Sequence, residues 1–188
     1  MALTPDTVEA LADDYHDTQP LAAIEDEHYE MLPSALAAGD FGWRDAEWID
    51  QWFYRRFLGT YPDAARRERE SAYGDNDYEA VRDAIAEAAD AAETRAKLEA
   101  LTTLSGVDVP VASAFLQFLD PEAYLVMSAR EWTVLRNAGE LDAAYPAEPD
   151  AGDYERYLSA CRDVADRCGS DLRTVYRALW QRWATENR

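Results

Sequence analysis

The side chains best suited to chemistry in this sequence are arginines that cluster between positions 55 and 69. This stretch holds Arg55, Arg56, Arg66, Arg67 and Arg69 against the two acids Asp63 and Glu68, a local charge of +3. Guanidinium groups bind the oxygens of phosphates and carboxylates in pairs. The cluster therefore predicts contact with a phosphate backbone or an acidic partner, unless these arginines pair with the carboxylates beside them in the sequence.

Motifs typical of common enzyme classes do not occur in the sequence. It has no P-loop, no G-x-S-x-G, no C-x-x-C and no H-E-x-x-H, and His16 and His28 have no partner at metal-ligand spacing. Cys161 and Cys168 lie two helical turns apart, about 10 Å, which is too far for a disulfide. We expect no metal centre, small buried thiols in a reducing compartment, and solvated acidic runs such as residues 25–27.

Negative charge dominates the composition of the 188 residues. Asp and Glu number 38 against 18 Lys and Arg, the formal charge is −20, and Lys97 is the only lysine. Such a composition resembles that of proteins from extreme halophiles, where molar salt screens self-repulsion. The length predicts one domain over residues 1–188. No apolar run is long enough for a membrane span and no signal peptide is indicated, so a cytoplasmic location is expected.

Apolar residues recur at helical spacing along the chain, without sustained alternation of period two. This pattern predicts an all-α fold: one compact orthogonal domain of about ten helices. The strongest stripe contains Trp48, Ile49, Trp52, Phe53 and Phe57. It predicts a buried helix, although its rings could instead line a pocket for a planar ligand. We expect Pro33 to split one helix into two short pieces, and Ser170 to cap the last helix.

The segment of residues 90–132 has the clearest predicted architecture. Asp90 and Glu93 form a variant of the capping box at the start of one helix. Gly106 supplies a tight turn, and Pro110 then begins a helix so apolar that it must be buried nearly all round. The pattern predicts two helices joined by a hairpin over about residues 91–119.

This segment resembles the helix-hairpin-helix signature of the HhH-GPD superfamily of DNA base-excision glycosylases. The matched residues are Leu104-Ser-Gly106-Val107-Asp108, Val111-Ala112-Ser113-Ala114 and Leu125-Val126-Met127-Ser128-Ala129-Arg130. In that superfamily, backbone N–H groups of the hairpin and of the second helix bind DNA phosphates, often beside a monovalent cation held by hairpin carbonyls.

The resemblance implies a set of nucleic-acid-binding candidates in this chain. They are Gly106, Val107, Asp108 and Val109 of the hairpin, together with Arg55, Arg56, Arg66, Arg67 and Arg130. It also implies a possible K⁺ or Na⁺ site at the carbonyls of Leu104 and Gly106, and no other cofactor. DNA is thus the expected partner, bound at high salt.

The sequence departs from the superfamily at the positions that carry its chemistry. Ser128 stands where the catalytic aspartate falls, and Pro110 stands where bifunctional members carry a lysine. A serine cannot stabilise an oxocarbenium-like charge as a carboxylate does. Glu131 is the nearest acid, and its spacing predicts a capping box with Ser128. Asp108 replaces the second hairpin glycine, where it would repel a phosphate, cap the next helix or help to hold a cation.

Three functions follow from these residues. The first is a glycosylase-like protein without the usual catalysis, which binds nucleic-acid backbone through the hairpin and the arginine cluster. The second is a non-enzymatic scaffold that docks a protein partner through the aromatic face of residues 43–57 or 180–183, with the hairpin serving only for packing. The third and weakest is an active glycosylase that uses Glu131 or another acid.

Overall fold

The computed structural model describes residues 2–187, which form ten α-helices joined by turns and loops. The helices are α1 (Pro5–Thr18), α2 (Ala22–Ala38), α3 (Trp43–Arg55), α4 (Asp63–Gly74), α5 (Tyr78–Asp90), α6 (Thr94–Leu101), α7 (Val109–Leu119), α8 (Ala129–Ala138), α9 (Ala151–Cys168) and α10 (Leu172–Glu186). No strand occurs within residues 2–187. The prediction of an all-α fold with about ten helices is confirmed.

Helix α7 lies at the centre of the hydrophobic core. Residues 110–118 are all buried, and the helix contacts α2, α3, α5, α6 and α9. The core is one connected cluster to which all ten helices contribute buried apolar side chains. An apolar helix of this kind is stable only when it is surrounded by other helices, and the prediction that α7 is buried nearly all round is confirmed.

The aromatic side chains of α3 and α10 belong mainly to this core. Trp52 and Trp180 are each 2 % exposed. Trp43, Trp48 and Trp183 are partly buried and pack against the same cluster. The two faces that the scaffold hypothesis assigns to a protein partner are therefore largely occupied by contacts within the chain.

Two helix boundaries differ from the sequence-based expectation. Helix α2 continues through Pro33 to its C-cap Gly39, because burial of Leu32 and Leu36 on either side of the proline holds the helix together. The N-cap of α10 is Asp171 rather than Ser170, and its carboxylate accepts a hydrogen bond from the Thr174 N–H at 2.7 Å.

The predicted capping box at Asp90 and Glu93 is also wrong. Helix α5 continues to Asp90, and Glu93 is the N-cap of α6 without a side-chain capping bond. Near the end of α5, the Lys97 ammonium donates to the carbonyls of Ala88 and Ala89 at 2.6 and 3.2 Å. A cation at the last carbonyls of a helix satisfies their hydrogen bonds and interacts favourably with the helix dipole.

Within residues 2–187 no helix combines the length and apolar character needed to cross a membrane. Both cysteines lie on α9 and are free thiols. Cys161 is buried as expected, whereas Cys168 is only partly buried.

Candidate nucleic-acid interface

The turn of residues 102–108, which joins α6 to α7, packs directly on the backbone of α4. Gly106 has a φ of +82°. A Cβ atom at this position would lie 2.7 Å from the Tyr73 nitrogen and 2.8 Å from the Arg69 carbonyl oxygen. Both neighbours are backbone atoms that cannot swing aside, so the close approach and the left-handed conformation both require glycine.

Asn76 connects this turn to the C-terminal end of α4 through side-chain hydrogen bonds. Its amide nitrogen donates to the carbonyls of Tyr73 and Ser105 at 2.8 and 3.0 Å, and its oxygen accepts from the Ser105 N–H at 2.9 Å. Asn76 could not be identified as a tertiary contact from the sequence. The polar turn G-D-N-D was its only signal, and that signal did not reveal a partner 29 residues away.

Asp108 connects the turn to both α7 and α4. Its Oδ1 accepts a hydrogen bond from the Val111 N–H at 3.2 Å, which makes it the N-cap of α7. Its Oδ2 lies 3.5 Å from Arg69 Nη1, and both side chains are nearly half exposed. Of the alternatives open for Asp108, the capping role is confirmed. The salt bridge also brings the arginine cluster next to the turn.

Two further arginines of the cluster, the partly buried Arg66 and the exposed Arg67, lie on the first turns of α4. Arg66 pairs with Glu70 at 2.8 Å and with Asp63 at 3.3 Å, and Arg67 lies 3.8 Å from Asp63. These contacts fit the interpretation that the arginines pair with neighbouring carboxylates. Arg55, at the end of α3, is exposed and makes no ion pair with another of residues 2–187.

Arg56 is not on this surface, because it is buried between α3 and α8. It is 2 % exposed, and its Nη1 donates to Glu131 Oε1 at 2.5 Å. The rings within 6.0 Å of its guanidinium carbon are those of Trp52, Phe53, Phe57, Tyr176 and Trp180. Burial alone would lower the pKa of Arg56, but the Glu131 carboxylate more than offsets this, and the pKa is raised.

Ser128 and Glu131, the candidates for catalysis, belong to the same buried network. Ser128 is the N-cap of α8 and accepts from the Arg130 N–H at 3.2 Å, while its hydroxyl donates to Glu131 Oε2. The predicted reciprocal box is therefore altered, because Arg56 draws the Glu131 side chain towards α3. Ser128 is 4 % exposed and Glu131 is fully buried, so no open cleft lies beside either group.

Arg130 packs against aromatic side chains of α10. Its guanidinium lies 3.7 Å from the ring centre of Trp183 and 4.5 Å from that of Trp180, and it donates to the Thr60 hydroxyl. Burial lowers the pKa of Arg130 to about 10. The side chain thus covers an aromatic cluster through cation–π contacts, which are strongest when the cation is desolvated.

A buried carboxyl on α3 was not recognised in the sequence analysis. Asp50 is 1 % exposed, and neither carboxylate oxygen has a hydrogen-bond partner within residues 2–187. Burial raises the pKa of Asp50 to about 8, and three neighbouring acids add to the effect. These acids are Glu70, Glu47 and Asp108. The sign of this burial in the sequence is the helical spacing of Asp50 from Ala46 and Phe53, which are both buried.

Glu25 corrects the expectation that residues 25–27 form a solvated face. It is fully buried, and its carboxylate accepts from the Tyr15 hydroxyl and from the Trp52 indole N–H at 2.8 Å each. Burial raises the pKa of Glu25, although these hydrogen bonds work in the opposite direction. Asp26 is half-buried and pairs with Arg173 and Arg177.

No group of three or more His, Cys, Asp or Glu side chains within residues 2–187 is arranged to hold a metal ion. At the predicted monovalent cation site, the Leu104 carbonyl accepts a hydrogen bond from the Val107 N–H at 3.2 Å, and the site remains a prediction. In comparisons with protein-family models, curated proteins and solved structures, no significant match to this chain was found.

Proposed function

We propose that this protein is a glycosylase-like helical protein that binds nucleic-acid backbone without excising bases. The proposed contact surface is the turn–α4 face, defined as residues 102–108 together with Arg55, Arg67 and Arg69. In this proposal the α6–turn–α7 unit serves as a helix-hairpin-helix, as its resemblance to the HhH-GPD superfamily implies.

The observation that carries this proposal is the bridge between Arg69 and Asp108, with 3.5 Å between the charged atoms. It places a turn and an arginine cluster that are separate in the sequence on one surface. The bridge also compensates the charge of the one carboxylate that would face a phosphate at the turn. Phosphate contacts of this kind fix the position of a strand and carry no sequence information.

The charge of −20 is compatible with this function at the molar salt that the halophile-type composition suggests. The Debye length is about 3 Å at 1 M salt. A phosphate in contact with the turn–α4 face would then respond to the side chains that touch it and only weakly to distant acids. Counterion release adds little at such salt, so we expect binding of modest affinity.

The proposal excludes base excision because the position of the superfamily's catalytic aspartate serves a structural role here. Ser128 donates to Glu131, and Glu131 pairs with Arg56, in a network that is almost completely buried. A carboxylate with these partners and no exposure cannot reach a glycosidic bond.

The test is fluorescence anisotropy with labelled duplex, single-stranded and abasic DNA in molar KCl. Arg69→Ala is compared with Arg82→Ala, because both arginines are about half exposed and both lie within 4 Å of an aspartate. We expect Arg69→Ala to weaken binding about tenfold, as loss of one charge-assisted contact of about 1.4 kcal/mol would. Arg82→Ala should leave the affinity unchanged.

Failure of all three DNAs to bind, or equal effects of the two substitutions, would contradict the proposed function. Release of a damaged base by the unaltered protein would contradict its non-catalytic part. In that case Glu131→Gln would show whether Glu131 supplies the acid.

A further inference from the structure

A cavity of about 300 Å³ lies between the C-terminal end of α3 and the first turn of α4. Its lining consists of Tyr54, Arg55, Gly59, Tyr61, Asp63 and Arg66. The cavity adjoins the turn–α4 face, because Arg55 belongs to both. Its volume is at the lower end of the range for small-molecule sites.

Two phenol groups in this lining have no partner. Tyr54 is 2 % exposed, Tyr61 is half-buried, and their rings meet edge to face at 5.0 Å. Neither hydroxyl forms a hydrogen bond with another residue of the described range 2–187. Burial raises the pKa of both phenols, so each hydroxyl keeps its proton as a donor. Because the Tyr54 side chain is otherwise buried, its solvent-accessible hydroxyl opens into the cavity, where it can donate a hydrogen bond to a ligand.

The first turn of α4 adds donors at the same place. Its N-cap is Pro62, which supplies no side-chain acceptor, so the N–H groups of Asp63, Ala64 and Ala65 have no capping partner. A helix N-terminus of this kind favours an anion. Arg55 adds a guanidinium without an ion pair among residues 2–187.

One carboxylate also lines the cavity, and it is already neutralised. The Asp63 oxygens lie 3.3 Å from Arg66 and 3.8 Å from Arg67. Arg66 is also paired with Glu70, so the remaining polar side chains of the lining are the two phenols and Arg55, and these donors fit an anion with several oxygen atoms.

We propose that this cavity binds a phosphate monoester, namely the terminal phosphate of a nucleic-acid strand. Tyr54 and Tyr61 donate to its oxygens from the inner side, and Arg55 and the first turn of α4 neutralise its charge. A phosphodiester within a strand would bring a sugar on each side, whereas a terminal phosphate brings one, which suits a cavity of this size. The inference depends on the proposed function for the strand that carries the phosphate.

The test compares three strands of one sequence, with a 5′-phosphate, a 3′-phosphate or hydroxyls at both ends, in molar KCl without other phosphate. We expect one phosphorylated strand to bind about tenfold tighter than the hydroxyl-ended strand, as one added charge-assisted contact would produce. Tyr54→Phe removes a single hydroxyl and should abolish this preference while the affinity for the hydroxyl-ended strand stays the same. Tyr124→Phe, at a buried tyrosine outside the cavity, should keep the preference.

The outcomes separate this inference from the proposed function. Equal binding of all three strands, with loss of affinity in Arg69→Ala, would overturn the phosphate site and leave the proposed function standing. If no strand binds, calorimetry with inorganic phosphate tests the cavity without nucleic acid. Phosphate binding that Tyr54→Phe weakens would support a phosphate site but not the proposed function. Absence of phosphate binding would overturn both proposals. If Tyr54→Phe does not fold, Tyr61→Phe replaces it, because Tyr61 lines the same cavity, is only half-buried and does not belong to the turn–α4 face.

Discussion

Helix α3 has polar side chains buried on two sides, and the two sides are built differently. Towards α8, Arg56 pairs with Glu131 at 2.5 Å, and Glu131 also accepts from Ser128. Towards α4, both oxygens of Asp50 are buried without a partner, as are the Tyr73 hydroxyl and one oxygen of Glu70. On the α8 side both charges are paired, although Nε and Nη2 of Arg56 form no hydrogen bond within residues 2–187. On the α4 side Asp50 has neither a cation nor a hydrogen-bond donor within the same residues.

This difference indicates which side of α3 serves the fold and which side is available for function. Removal of one partner of a buried ion pair strongly destabilises the folded state, because the other charge is left in a medium of low polarity. Native structures contain few unsatisfied buried polar groups, and those groups often mark functional sites. The side on which Asp50 lacks a counter-charge adjoins the turn–α4 face and the cavity at Tyr54, where both proposals lie.

The largest expected effect is on the α8 side. Arg56→Met keeps the bulk of the side chain and leaves Glu131 buried without its cation, so we expect the free energy of unfolding to fall by about 3–5 kcal/mol. Chemical denaturation in high salt measures it. The double variant Arg56→Met/Glu131→Leu should recover most of the loss, since paired replacement of a buried ion pair is often neutral. A loss below about 1 kcal/mol in the single variant would contradict the role of the pair.

The next effect is at the contact between the turn and α4. Gly106→Ala should lower the free energy of unfolding by about 2–4 kcal/mol, because it adds left-handed strain of about 1 kcal/mol and a clash with backbone atoms. Gly139→Ala is the matched control: its φ is +83°, but its Cβ would meet nothing within 4 Å. Gly139→Ala should therefore lower the free energy of unfolding only by the left-handed strain. Equal losses in the two variants would show that the turn does not pack on α4.

Substitution of Asp50 should raise the free energy of unfolding, whereas the substitutions of Arg56 and Gly106 lower it. Its pKa is about 8 in the folded protein against an ordinary value of 3.8, so between these pH values the folded state holds a proton that the unfolded state has lost. The free energy of unfolding therefore falls as the pH rises through this window, by at most about 1.4 kcal/mol per pH unit. Asp50→Asn should reduce this slope, to which the raised pKa of Glu25 also contributes, and stabilise the protein by about 1–3 kcal/mol at neutral pH, after the cost of a buried amide.

Unfolding free energies measured between pH 4 and pH 9 test this prediction. Asp75→Asn, at an exposed aspartate just beyond α4, is the control that should keep the slope of the unaltered protein. If the Asp50→Asn variant also keeps the slope of the unaltered protein, the carboxyl of Asp50 is ionised in the folded state and has a partner.

The smallest expected effect on stability is that of Arg69→Ala. The bridge to Asp108 is exposed, and such pairs contribute about 0–1 kcal/mol, less at high salt. The free energy of unfolding should therefore change by less than about 1 kcal/mol, while DNA affinity in the same buffer falls. A large loss of stability would assign Arg69 to the fold instead of the binding face.

The helices could be predicted from the sequence because their signals are local. The N-cap Thr4 with Pro5 after it, the left-handed glycines at the ends of α2 and α8, and the apolar run of α7 all act within a few residues. The candidate site could be predicted only in part. The turn and the arginines can each be recognised in the sequence. The bridge that joins them cannot, because Arg69 and Asp108 are 39 positions apart in the chain.

The number of helices and the burial of the apolar α7 follow from local patterns in the amino-acid sequence. Whether an individual charge is exposed or buried depends on contacts between helices that are distant in the chain. Arg55 and Arg56 are neighbours in one cluster, yet one is exposed and the other is buried against Glu131, 75 residues away. Glu25 and Asp50 are likewise buried in a very acidic chain. The reason is that helical spacing fixes which side chains share a face, whereas the elements that pack on that face fix whether a charge meets water, a partner or neither.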